Sequence, residues 1–109
     1  MSQPQNIGDA DHKAQFLSDL RRETQENIWK NDLHLMRLND ELELAQGNLE
    51  KLNAQLEAKG KKPAAAEAKQ KFVFERSIAL KQKEIATVTE TRDYNDYLLN
   101  SLIPRYEKS

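Results

Sequence analysis

A chain of 109 residues, of which 32% are charged and 38% hydrophobic, excludes more than one domain and excludes a thick globular core. Its 17 basic and 18 acidic residues give a net charge of −1, which excludes a global attraction to nucleic acid or acidic membranes. With no cysteine it has no disulfides or thiolate metal sites. No apolar run approaches the ~20 residues that span a bilayer. We therefore expect a cytoplasmic protein, or one inside a virion or a large intracellular complex.

The first long periodic segment predicts a helix over residues 11–59, preceded by a flexible N-terminal tail over residues 1–10. The tail is polar and contains an early proline and glycine. In the helix, apolar residues are separated alternately by three and four positions, which is the a/d spacing of a coiled coil. This seam comprises Ile28, Leu35, Leu38, Leu42, Ala45, Leu49, Leu52 and Leu56.

A turn over residues 60–62 separates this helix from a second predicted helix over residues 63–103. Gly60 suits the left-handed conformation just past a helix end, and Pro63 suits the first turn of a helix. Pro104 is expected to end the second helix and to leave residues 104–109 as a C-terminal tail. The second seam comprises Phe74, Ile78, Ile85, Val88, Leu99 and Leu102.

The two seams come into register when the chain folds back at the turn. With Leu38 opposite Ile85, Leu49 falls opposite Phe74, and every a position meets a d position, as antiparallel pairing requires. The sequence therefore predicts an all-α fold, an antiparallel two-helix coiled-coil hairpin. Because two helices bury little area, we expect self-association or a partner to complete a three- or four-helix bundle.

One layer of the seam is polar, because Asn31 occupies a seam position between Ile28 and Leu35. In this register Asn31 is expected opposite Arg92, and Ile28 opposite Asn95. Polar residues in a seam commonly fix register at a cost in stability, and a buried recognition site is the alternative interpretation.

Several apolar residues lie outside both seams and are the candidate partner-binding residues. Contiguous stripes of this kind mark contact surfaces, although they could also cover their own hairpin. The candidates are Trp29, Leu33 and Met36 on the first helix, and Phe72, Val73, Leu80, Tyr94 and Tyr97 on the second.

We find no catalytic motif in the sequence, and we expect neither an enzyme nor a bound cofactor or metal. His12 and His34 are separated by about 33 Å of helix, so they cannot share a metal within one chain. The hairpin tip is basic, with Lys59, Lys61 and Lys62 at the bend. This cluster is either a solvated turn or a small contact site for phosphate or acidic protein.

These features predict a non-enzymatic structural or assembly protein, which forms a homo-oligomer or joins a larger complex through its extra apolar stripes. One alternative is a small regulatory module that contacts nucleic acid or an acidic protein surface through the basic tip. The other is a chaperone or adaptor that holds a partner helix in a groove.

Overall fold

The computed structural model describes the backbone of residues 3–60 and 62–109, and the side chains of residues 10–60 and 62–109. Helix α1 spans Gln3–Lys59 and helix α2 spans Ala65–Tyr97. A π-helical segment, Leu98–Leu102, follows directly and leads into the short helix α3, Ile103–Lys108. Within the described residues no strand occurs, which confirms the predicted all-α hairpin. Its completion to a bundle remains a prediction.

The helices extend further at both ends than the sequence predicted. The N-terminal tail was expected to reach residue 10, but α1 begins at Gln3. Pro4 is compatible with this start because the first turn of a helix requires no backbone N–H donors. At the other end, residues 104–109 were expected to form a tail, yet residues 104–108 belong to α3. Pro104 lies in the first turn of α3 and therefore starts a helix rather than ending one.

Gly60 ends α1 in the left-handed conformation that the sequence predicted. Its φ is 63°, and its N–H donates a 3.2 Å hydrogen bond to the Glu57 carbonyl. A side chain would be strained at this φ, whereas glycine adopts it freely. Lys61, at the middle of the predicted turn, lies outside the described residues.

The start of α2 is two residues later than predicted, because Glu67 caps it. The Ala64 N–H donates a 3.2 Å hydrogen bond to Glu67 Oε1, so Ala64 is the N-cap residue and Pro63 precedes the helix. A glutamate three residues after the N-cap commonly satisfies this donor. The Lys59 ammonium also donates to Glu67 Oε2 at 2.6 Å, which joins the end of α1 to the start of α2.

The chain divides into two compact units, which are described separately. Unit 1 comprises the residues up to Asp32 together with Thr89–Ser109, and unit 2 comprises Leu33–Val88.

Unit 2 is built on one column of buried side chains from α1. Leu38, Ala45 and Leu52 recur every seven residues and are buried, whereas the seam residues of α2 in this unit are half-buried. Across the seam, the Lys81 ammonium donates a 2.8 Å hydrogen bond to Glu41 Oε2. This pair lies one position away from the partners that the predicted register assigns and is compatible with that register, which stays a prediction.

Unit 1 continues the buried column with Leu17 and Thr24 and adds Ile28 from the neighbouring seam position. The Thr24 hydroxyl donates to the Leu20 carbonyl at 2.6 Å, which satisfies a hydroxyl that is almost fully buried. From the other end of the chain, Ile103 is only 1% exposed.

The π-helical segment explains why Ile103 is buried and why the predicted seam residue Leu102 is only half-buried. A π-helical turn closes hydrogen bonds from residue i to i+5, so it holds more residues per turn than an α-helix. The segment Leu98–Leu102 therefore rotates the following residues relative to the heptad that precedes it. The heptad spacing, when it is extended without this rotation, assigns Leu102 rather than Ile103 to the seam.

The predicted polar layer around Asn31 and Arg92 contains an ion pair that the sequence reasoning did not identify. The Arg92 guanidinium donates to Asp32, the neighbour of Asn31, and this hydrogen bond is the main reason that the pKa of Arg92 is raised. Asn95 is buried and donates to the Thr91 carbonyl at 2.8 Å. Asn31 Nδ2 is buried and donates no hydrogen bond to a described residue.

Candidate protein-binding surfaces

In unit 2 the outer face of α1, which points away from the seam, carries exposed apolar side chains. Leu33 and Met36, both predicted from the sequence, are 68% and 64% exposed. Leu44 is as exposed as Leu33 but was not among the predicted residues. Leu44 lies eight residues after Met36, one position beyond the seven-residue repeat of the predicted stripe, and this spacing could have indicated that it belongs to the same face.

The outer face of α2 in unit 2 is also apolar. Phe72, Val73 and Leu80 are all exposed, as the off-seam positions predicted. Val73 and Leu80 are seven residues apart and lie on the same side of the helix. Together with the stem of Arg76 they line a shallow groove of about 360 Å³.

Unit 1 exposes the remaining predicted aromatic residues. Trp29 borders a groove of about 520 Å³ that also contains Arg21 and Arg22. Both guanidinium groups already have partners, since Arg21 pairs with Glu107 and Arg22 pairs with Asp19. The predicted residues Tyr94 and Tyr97 are exposed on α2.

A second groove in unit 1 was missed by the sequence reasoning. It has a volume of about 400 Å³, and its walls come from α1, the π-helical segment and α3. Phe16 and Tyr106 are exposed at this groove. Phe16 and Leu20 are four residues apart, which could have indicated one wall, but Tyr106 lies in the segment that was predicted to be a tail. The lining residues are Lys13, Phe16, Leu17, Leu20, Leu102, Ile103 and Tyr106.

At the tip of the hairpin, one of the two described lysines is paired with an acidic residue. Lys59 is paired with Glu67, and this hydrogen bond, with a smaller contribution from the Ala64 N–H, lowers the pKa of Glu67. Lys62 is exposed and forms no ion pair with a described residue. Lys61 lies outside the described residues.

A histidine and a glutamate lie close together across the seam of unit 2. His34 Nε2 lies 3.4 Å from Glu84 Oε1, and both residues belong to unit 2. Among the described side chains, no group of three or more histidine, cysteine or acidic residues is placed to hold a metal ion. Of the helices that the structure describes, none has the length and apolarity to cross a membrane.

The fold and its surfaces define an all-α helical hairpin whose outer faces carry uncovered apolar side chains. No family model, curated protein or solved structure matches the chain. The surface chemistry that this arrangement offers is the docking of apolar and aromatic side chains against another helix.

Proposed function

We propose that this chain is a non-enzymatic assembly protein, a helical hairpin that docks onto other helices through apolar residues on its outer faces. The proposal rests on the amount of apolar surface that the hairpin leaves exposed. Among the described side chains, six hydrophobic residues are buried, whereas eleven large hydrophobic residues are at least 46% exposed. Exposed apolar stripes of this extent are typical of contact surfaces.

The total accessible surface supports the same proposal. It measures 8477 Å², whereas a compact monomer of 12.6 kDa exposes only about 6,200 Å². The excess of roughly 2,300 Å² on one chain is more than the about 800 Å² that each partner contributes to a standard protein–protein interface, so it could supply more than one contact surface. Association with further helices, as in a three- or four-helix bundle, would cover it.

Aromatic residues among the exposed side chains strengthen the case. Trp29, Phe72 and Tyr97 are of the types that most often anchor interfaces. A balanced surface charge and a chain without cysteine fit a role in the cytoplasm or inside a large intracellular complex.

Leu80→Glu tests the proposal, because a charge at this exposed position opposes docking without disturbing the seam. We expect Leu80→Glu to remain helical. Its native mass should fall, its recovery of co-purifying partners should fall, or both. The matched control is Lys62→Glu, which also introduces a glutamate at an exposed position but lies at the tip. Unchanged mass and unchanged partner recovery in Leu80→Glu would refute docking through this face.

The Lys62→Glu variant also distinguishes the docking proposal from the alternative in which the basic tip binds a partner. If the protein acted through a basic tip, Lys62→Glu would abolish binding while leaving assembly intact. Lys59 is unsuitable for this comparison, because its reversal would also break the hydrogen bond to Glu67 that joins the two helices.

The apolar groove in unit 1 favours a second candidate function, an adaptor that holds one helix of a partner. Its walls are almost entirely apolar, and Phe16 and Tyr106 are exposed beside it. A groove of this kind accepts the apolar face of an amphipathic helix. Phe16→Glu should then release a partner that Leu80→Glu retains, and retention by both variants would eliminate the adaptor.

A further inference from the structure

The outer face of α1 in unit 2 carries a second seven-residue pattern. Its members alternate between spacings of three and four, which is again the a/d spacing of a coiled-coil seam. Three members lie two residues after Leu38, Ala45 and Leu52, about 200° around the helix from them, and the other three lie one residue after Leu42, Leu49 and Leu56, about 100° around from them. Gly47 is half-buried and the others are exposed. The pattern comprises Asp40, Glu43, Gly47, Glu50, Ala54 and Glu57.

The outer face of α2 in unit 2 carries a matching pattern with the opposite charge. Basic residues recur every seven positions, and a column of apolar residues runs beside them at the same spacing. All are exposed. The basic column is Lys69, Arg76 and Lys83, and the apolar column is Phe72, Ala79 and Ala86.

The two patterns are complementary when the helices pair in antiparallel orientation, in which a positions meet d positions. The acidic column of α1, which is Glu43, Glu50 and Glu57, then faces the basic column of α2. The other column of α1, which is Asp40, Gly47 and Ala54, faces the apolar column. Leu44 and Leu80 fall beside each other on one edge, since both occupy the position that follows the second seam. The facing pairs are Glu57 with Lys69, Ala54 with Phe72, Glu50 with Arg76, Gly47 with Ala79, and Glu43 with Lys83.

These two faces lie on opposite sides of unit 2, so one chain cannot bring them together. We propose that a second copy of this chain docks its α2 outer face onto the α1 outer face of the first. The inference rests on the proposed assembly function and names the partner and the orientation. The pairing lies close to the register within one hairpin, where Lys59 pairs with Glu67 and Glu41 with Lys81. The second copy therefore lies alongside the first, with its turn pointing in the same direction.

The charges on the two outer faces indicate that the partner is a second copy of this chain. None of the seven charged residues in the two patterns forms an ion pair with a described residue, so their charges are available to a neighbour. Antiparallel pairing of α1 with α1 would place the glutamates against the column of Asp40, Gly47 and Ala54, and pairing of α2 with α2 would place the cations against the apolar column, so neither brings acidic and basic residues together. Of the three arrangements, only the α1-to-α2 pairing sets Glu43, Glu50 and Glu57 against basic residues, while Asp40 falls opposite Ala86.

The interface is heterologous, because each copy contributes a different face. Each pair of copies leaves one α1 outer face and one α2 outer face free, so further copies can add until the assembly closes into a ring or extends as a filament. The average native mass should therefore rise with protein concentration.

Charge reversal on one face and then on both tests this arrangement. The first variant carries E43K, E50K and E57K, and the second carries K69E, R76E and K83E. Each alone should lower the apparent association constant by about tenfold or more, because attractive layers become repulsive. A third variant carries all six changes, which leaves the net charge at −1 and should restore association. Sedimentation equilibrium measures the masses, and circular dichroism checks helicity.

The outcomes separate this inference from the proposed function. A wild-type chain that stays monomeric at all concentrations, or a six-fold variant that stays as weak as the three-fold ones, would overturn the face-to-face pairing. If Leu80→Glu still lost a different protein partner in that case, the proposed docking function would stand. If every variant kept its native mass and its partners, both the face-to-face pairing and the proposed docking function would be refuted.

Discussion

The Lys81 ammonium donates a 2.8 Å hydrogen bond to Glu41 Oε2 and so connects α2 to α1 across the seam of unit 2. This hydrogen bond, followed by the charge of Lys81, lowers the pKa of Glu41. Lys81 occupies a position of the α2 seam where an apolar residue would be usual, and the carboxylate satisfies its charge at the edge of that seam.

Acidification should weaken the hairpin through this pair. Because the folded pKa of Glu41 is depressed, its stabilising contribution is present above the ordinary value of 4.5 and is lost as the pH falls through the folded pKa. Glu41→Gln should be less stable than the wild type at neutral pH and should lose less stability on acidification. Urea unfolding at pH 7 and at about pH 3 measures both differences. Equal pH dependence in the two proteins would contradict this role for Glu41, and Glu90→Gln, at an exposed position, is the control.

Gly47 and Gly60 should respond in opposite directions to alanine. Gly60→Ala should lower the free energy of unfolding by about 1–2 kcal/mol, because alanine is strained at a φ of 63°. Gly47→Ala should raise it by about 0.5–1 kcal/mol, because Gly47 lies inside α1 and no atom lies within 4 Å of the added Cβ. Thermal or urea unfolding of both variants checks the signs, and a destabilised Gly47→Ala would show that the outer face is not open.

Asn31 should be a site where stability can be gained. Its buried Nδ2 donates no hydrogen bond to a described residue, and an unsatisfied buried donor costs about 1–3 kcal/mol. Asn31→Leu extends the apolar column and should stabilise the protein by about 1 kcal/mol or more. Asn95→Leu is the comparison and should gain less, because Asn95 already donates to the Thr91 carbonyl. A loss of stability in Asn31→Leu would mean that the amide is satisfied in solution.

The π-helical segment makes Ile103, rather than Leu102, the anchor at the end of unit 1. Ile103→Ala should cost about 2–5 kcal/mol, as expected for a fully buried aliphatic side chain. Leu102→Ala should cost clearly less, because Leu102 is only half-buried. The reverse order would indicate an uninterrupted α-helix through this region.

The sequence was sufficient for the hairpin, because heptad spacing and the glycine at position 60 report directly on helix pairing and on the turn. It was insufficient where a local hydrogen-bond pattern changes the rotation of the chain, as the π-helical segment does before Ile103. It also did not reveal the hydrogen bond from Arg92 to Asp32, because spacing assigns a residue to a seam position but does not show which polar group its side chain reaches. Tyr106 was missed for a third reason, since Pro104 can begin a helix as well as end one.

Disulfide cross-linking tests the central claim most directly, because the natural chain contains no cysteine to interfere. Gly47 and Ala79 face each other only across the proposed interface between copies. Under mild oxidation, a variant with both Gly47→Cys and Ala79→Cys should form a ladder of disulfide-linked dimers, trimers and longer species on a denaturing gel, whereas either single variant should form no disulfide-linked species. Dimers of Gly47→Cys alone, or no ladder from the double variant, would contradict the pairing of α1 with α2 between copies.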